Sequence, residues 1–91
     1  MKNKVELKKS AVKAIAKLPL KEQQKIVAFL DNLQYIPNPT QLPNCKILLG
    51  HRDICRYRLG NYRVICHIQG NGILTILVLA VGNRKDIYRG W

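Results

Sequence analysis

Cys55-Arg56-Tyr57-Arg58-Leu59-Gly60-Asn61-Tyr62-Arg63-Val64-Ile65-Cys66-His67-Ile68 carries near-alternating apolar and basic residues on both sides of a Gly-Asn pair. Glycine at the first central position of a two-residue loop suits a type II′ hairpin turn. The pairing this predicts is Leu59 with Tyr62, Arg58 with Arg63, Tyr57 with Val64 and Arg56 with Ile65. Side chains alternate across a strand, so Leu59, Tyr57, Cys55, Tyr62, Val64, Cys66 and Ile68 share one face fit for a core. Arg56, Arg58, Arg63 and His67 share the other. Arg58 directly opposite Arg63 is a repulsive pair, and no acid interrupts that face near the turn. Fold stability does not ask for this arrangement. A bound phosphate does, because guanidinium forks match phosphate oxygens and stay charged at any working pH. The competing reading, exposed arginines paired with acids from elsewhere, has five Asp and Glu in the chain to draw on.

Working outward, strands are expected near 46–49, 53–59, 62–69 and 73–82, followed by a short polar tail. Pro37, Pro39 and Pro43 break the chain into an extended connection ahead of them. Before the prolines the apolar spacing turns helical. Ser10 is placed to cap a helix over 11–18 with Val12, Ile15 and Ala16 inward, stopped by Pro19. A second helix over 21–35 turns Ile26, Val27, Leu30 and Leu33 to one face, and the two form an αα-hairpin. Residues 3–8 alternate as a short edge strand. The class is α+β: an N-terminal strand and helical hairpin packed on one face of a mainly antiparallel sheet, in a single domain over 1–91.

Sixteen Lys and Arg against five Asp and Glu give a net charge of +11, which points to a polyanionic partner. A membrane is not expected: no long helix joins a basic face to aromatic anchors, and the apolar run Ile73 to Val81 is too short to span a bilayer. All six arginines lie between Arg52 and Arg89, and nine of the ten lysines lie at or before Lys46. Lysine thus supplies a diffuse field, and arginine stands where geometry matters. Lys9, Lys13, Lys17, Lys21 and Lys25 recur every fourth residue, as either a solvated face or a stripe facing RNA or the ribosome. Cys45, Cys55 and Cys66 are odd in number and contain no CxxC, so they read as reduced thiols of a cytoplasmic protein. No metal and no cofactor is expected, since His and Cys lack ligand spacing and the acids are scattered. The N-terminus lacks the apolar stretch of a signal peptide. His51 reads as a surface loop residue.

Val81-Gly82-Asn83-Arg84-Lys85-Asp86-Ile87-Tyr88-Arg89 ends an apolar strand in a glycine followed by basic residues and an aromatic. A tyrosine beside arginines stacks on a base while the arginines hold its phosphates. With Lys46-Ile47-Leu48-Leu49-Gly50 and the hairpin, this stretch resembles the RelE/ParE toxin pattern: a leucine-glycine turn, an Arg-x-Arg-x-Gly-x-Tyr-Arg hairpin and a final Gly-x-Arg-x-x-x-Tyr. The resemblance covers essentially the whole chain. It implies a microbial-ribonuclease-like, RelE-like fold and a toxin held in check by a cognate antitoxin, with operator DNA reached only through that antitoxin. It also implies a ribosome-dependent endoribonuclease that cuts mRNA in the decoding site, by metal-independent attack of the 2′-hydroxyl on the adjacent phosphate.

Carried over residue by residue, the resemblance makes Arg63, Arg84 and Tyr88 catalytic. Arg63 stabilises the pentacoordinate phosphate, Arg84 assists the leaving 5′-oxygen and Tyr88 orients a base. Arg56, Arg58 and Lys85 bind RNA phosphates. The chain departs from the family at Arg56 and Arg58, where the best-known relatives carry lysines and one is the proposed base, and at Asn83, where many carry histidine. Guanidinium is a poor base and an amide shuttles no proton, which leaves Lys85, His67, Tyr88 or ribosomal RNA for that role. Two other readings stay open: a ParE-like inhibitor of DNA gyrase, and a non-catalytic basic RNA-binding module.

Overall fold

A computed structural model describes residues 2–48, 53–70 and 73–87. The period-two stretches become β1 (Lys4–Leu7), β2 (Cys45–Ile47), β3 (Ile54–Leu59), β4 (Tyr62–Gln69) and β5 (Thr75–Asn83). The helical stretches become α1 (Lys9–Ala16) and α2 (Leu20–Leu33), and the proline-rich connection holds one 3₁₀ turn, Pro39–Gln41. Five strands form one sheet in the order β1-β5-β4-β3-β2. The run β2 to β5 is an antiparallel meander, and β1 closes the other edge parallel to β5. The α+β architecture is the expected one. Among the described residues no helix is long and apolar enough to cross a membrane.

Both helices cover one face of the sheet. Ala11, Ile15, Ile26, Leu30 and Leu33 meet Cys55, Tyr57, Val64, Cys66, Ile76, Val78 and Val81 in a single buried cluster. In β5 the register slips opposite Ile65 and Cys66, which pair with Ala80 and Val78 and leave Leu79 unopposed. This bulge puts Val81 and Val78, three residues apart, on the same inward face, which unbroken alternation forbids. Tyr57 sits at the centre: its ring meets Phe29 edge-on at 5.1 Å, and its hydroxyl donates to the Pro39 carbonyl at 2.8 Å.

The helices depart from expectation in detail. α1 begins at Lys9, after an N-cap at Lys8 that makes no side-chain capping bond, so Ser10 lies inside the first turn and caps nothing. The reason is the tight exit from β1, where the Lys8 amide still bonds the Val78 carbonyl while the Lys8 carbonyl already accepts from Ala11 and Val12. Val12, Ala16 and Val27, expected inward, are exposed. A helix lying on one flat face buries a single stripe, here Ala11 and Ile15 on α1 and Ile26, Leu30 and Leu33 on α2. At the joint Gln23 Nε2 donates to the carbonyls of Ala16 and Leu18 at 3.2 and 2.8 Å, filling the acceptors left open where α1 ends.

Candidate functional site

Gly60 has φ of 60° and no non-glycine residue among those described has positive φ, so the turn has the type II′ sense. The hairpin register follows: Leu59 faces Tyr62, Arg58 faces Arg63, Tyr57 faces Val64 and Arg56 faces Ile65, all as the sequence predicts. The neighbouring strands extend these rows across the face turned away from the helices. Arg58, Arg63 and Gly82 form the row next to the turn, and Lys46, Arg56, Ile65 and Ala80 form the next.

Arg63, expected to be catalytic and on the face opposite the core, is only 8% exposed. Its Nη1 donates to the carbonyls of Gly60 at 2.7 Å and Tyr62 at 3.0 Å. A buried guanidinium needs such acceptors, and here they fix the fork against the turn. Opposite Arg63 stands Gly82, and a Cβ there would lie 3.1 Å from Ile87 Cδ1. The glycine therefore lets buried Ile87 fold back over the sheet.

Arg84 reaches the same end of the sheet through the backbone. Its N–H donates to the Asn61 carbonyl at 2.8 Å, tying the end of β5 to the tip of the hairpin, and its side chain is exposed. Asn83 organises this turn: Oδ1 accepts from the Lys85 amide at 3.0 Å, and its carbonyl accepts from Asp86 and Ile87. The asparagine side chain is engaged in holding the turn. Lys85 and Arg58 are exposed. Arg56 is half-buried, and its Nε is buried without a hydrogen-bond partner. An unpaired donor at such a position is costly. Tyr88 lies outside the described residues, as does His51.

His67 shares the face but stands four residues along β4 from Arg63, roughly 14 Å by strand rise, out of reach of chemistry at the turn. Lys46 was missed by the motif reading: it is exposed and pairs directly with Arg56. Its signal was the short strand that begins the leucine-glycine stretch, too brief to fix register alone. Among the described strand residues the acid on this face is Glu6, at the opposite edge and bonded to Lys4 at 3.0 Å. Lys25–Glu22 at 4.0 Å is the other ion pair formed between described residues, and neither pair involves Arg56, Arg58, Arg63 or Arg84. The lysines of α1 and α2 are exposed in the helical layer, across the sheet from the arginines. Among the described residues no three of His, Cys, Asp and Glu gather to hold a metal ion.

Residues 5–88 match the family model of the ParE toxin of type II toxin-antitoxin systems. The chain is similar to RelE in the archaeal RelE-RelB complex from Pyrococcus horikoshii, with 32% identity over 94% of this chain and 99% of that one and a TM-score of 0.76. Two further structures share its fold. In the RelB-RelE complex from Methanococcus jannaschii the values are 24% identity, 94% and 98% coverage and a TM-score of 0.77. For a mutant of the E. coli toxin RelE in the free state they are 20%, 91% and 84%, and 0.71. A search of curated proteins gives no match. With the family model spanning nearly its whole length, the chain belongs to the RelE/ParE family of toxins of type II toxin-antitoxin systems.

Proposed function

We propose that this toxin is a ribosome-dependent endoribonuclease that cleaves mRNA in the decoding site and is neutralised by a cognate antitoxin. One observation carries the reading: Arg58 and Arg63 face each other at the hairpin end, with Arg84 tied beside them through Asn61. Such a cluster favours a phosphate on which negative charge develops.

In the proposed reaction the RNA 2′-oxygen attacks the adjacent phosphorus and the bond to the 5′-oxygen breaks, leaving a 2′,3′-cyclic phosphate. Arg63 has Nη1 committed to the turn, and the rest of its fork meets the equatorial oxygens of the pentacoordinate phosphate. Arg84, exposed beside the hairpin tip, hydrogen-bonds or protonates the departing 5′-oxygen. Arg56, Arg58, Lys46 and Lys85 hold flanking phosphates, and Tyr88 orients a base. With His67 too distant and Asn83 engaged, Lys85, Tyr88 or the ribosome itself takes the 2′-proton. Ribosome dependence follows from this thin acid-base set, because an ordered substrate supplies by positioning what the side chains lack.

The test is cleavage of mRNA on a programmed ribosome with an empty decoding site. Cutting is expected there and not on naked RNA, to persist in EDTA concentrations that leave ribosomes intact, and to stop with a 2′-deoxy nucleotide at the cut. Inhibition of gyrase supercoiling with mRNA left whole would overturn the nuclease in favour of a gyrase poison. Salt-sensitive RNA binding with neither effect would leave a binding module.

A further inference from the structure

Three thiols and a phenol are packed together at the β2 edge of the sheet. Cys45 pairs with Tyr57 across β2 and β3, and Ile47 pairs with Cys55, so Cys45 and Cys55 are diagonal neighbours on the helix-facing side. Cys66 stands directly opposite Cys55 on β4. Cys55 and Cys66 are fully buried, whereas Cys45 is half-buried at the first position of a three-residue edge strand. The chemistry proposed for the arginine face uses none of them.

We propose that Cys45 is a peroxide-reactive thiol which, once oxidised, is resolved by Cys55 into a disulfide that staples β2 to β3. The Cys55 thiol hydrogen-bonds Cys45 and, against the cost of burial, holds it down to about 7, with the charge of Arg56 adding to the effect. The thiolate is the nucleophile, so Cys45 is the reactive member. Cys66 is pushed up to about 12 by burial and stays a thiol. Cys55 is held protonated foremost by its bond to Cys45, with burial and the charge on Cys45 behind it. Oxidation of Cys45 removes that charge, while burial continues to hold the Cys55 thiol up.

The steps balance. The Cys45 thiolate, with one proton, takes an oxygen from a hydroperoxide, giving the sulfenic acid and an alcohol (water, for hydrogen peroxide). The Cys55 sulfur then attacks the Cys45 sulfur, the S–O bond breaks, and the Cys55 proton leaves with the hydroxyl as water. Diagonal neighbours sit farther apart than a relaxed disulfide requires, and β2, three residues long and on an edge, is the element free to close that gap.

The test is hydrogen peroxide treatment of the purified chain, followed by alkylation and peptide mapping by mass spectrometry. The expected product links Cys45 to Cys55 with Cys66 alkylated. Cys45→Ser should abolish the link, Cys66→Ser should retain it, and Cys55→Ser should leave a Cys45 sulfenic acid that dimedone traps. If Cys55→Ser does not fold, the wild-type map decides alone. Cys45 carried to sulfinic acid beside an alkylatable Cys55, a Cys55–Cys66 link, or three thiols untouched by peroxide would each overturn the proposal.

Discussion

The backbone N–H of Arg84 donates to the carbonyl of Asn61 at 2.8 Å, and this bond sets the turn after β5 against the tip of the β3–β4 hairpin. It separates the position of Arg84 from its chemistry. Arg84→Ala keeps the amide and loses only an exposed side chain, so the fold should be unchanged while single-turnover mRNA cleavage falls by roughly two orders of magnitude, the scale of one lost transition-state donor. Arg84→Pro removes the N–H as well and should also lower the unfolding midpoint. Full cleavage by Arg84→Ala would remove this residue from the site.

Arg63 behaves differently because it is buried. Arg63→Ala removes the donor to the Gly60 and Tyr62 carbonyls, so a loss of about 1–3 kcal/mol in stability is expected alongside the loss of cleavage. Urea denaturation gives the first and single-turnover cleavage under folding conditions gives the second. An Arg63→Ala protein as stable as the parent would show that the guanidinium does not hold the turn.

The register of the hairpin was legible because two local signals agree: the Gly60-Asn61 loop fixes the pairing, and period-two alternation fixes the faces. Most of what was hidden depends on contacts remote in sequence. Nothing near Arg63 announces that its guanidinium turns back onto the Gly60 and Tyr62 carbonyls, so burial of this arginine could not be read. Lys46 joins the basic face only because β2 pairs with β3. Val12, Ala16 and Val27 lie beside the buried stripe of their helices, and apolar spacing alone does not say which residues lie under the sheet and which beside it. That β1 pairs with β5, parallel and some seventy residues away, left no local trace.

Tyr57→Phe tests the core beneath the site. The lost hydroxyl leaves the Pro39 carbonyl without its 2.8 Å donor while the ring keeps its contact with Phe29. A loss of about 1–2 kcal/mol is expected, with cleavage unchanged, because the hydroxyl faces away from the arginines. A large fall in cleavage at equal folded fraction would contradict that separation of the two faces.

Cys45 should show a thiol titration of its own. Because the thiolate reacts and its pKa is lowered from the ordinary thiol range to about 7, iodoacetamide alkylation at this residue should rise through pH 7 and level off above it. Cys66, pushed up to about 12, should stay unlabelled over that range. Site-resolved mass spectrometry reads both rates, and a Cys45 profile still climbing steeply above pH 8 would show that no depressed thiol exists.

The salt dependence of RNA binding distinguishes the two basic surfaces. Arginines 58 and 63 with Lys46 stand on one face of the sheet, whereas Lys13 and Lys17 lie in the helical layer on the other. A short single strand held on the arginine face cannot also reach that layer. Each phosphate contact contributes about 0.7 to the slope of log affinity against log salt for single strands. Arg58→Ala and Lys46→Ala should each reduce the slope by roughly this amount for a short oligonucleotide. Lys13→Ala should leave the slope alone, lowering affinity only slightly through the overall field. Equal losses of slope at Lys13 and Arg58 would mean that the RNA wraps both faces, and the lysine stripe would then be part of the binding surface instead of a solvated exterior.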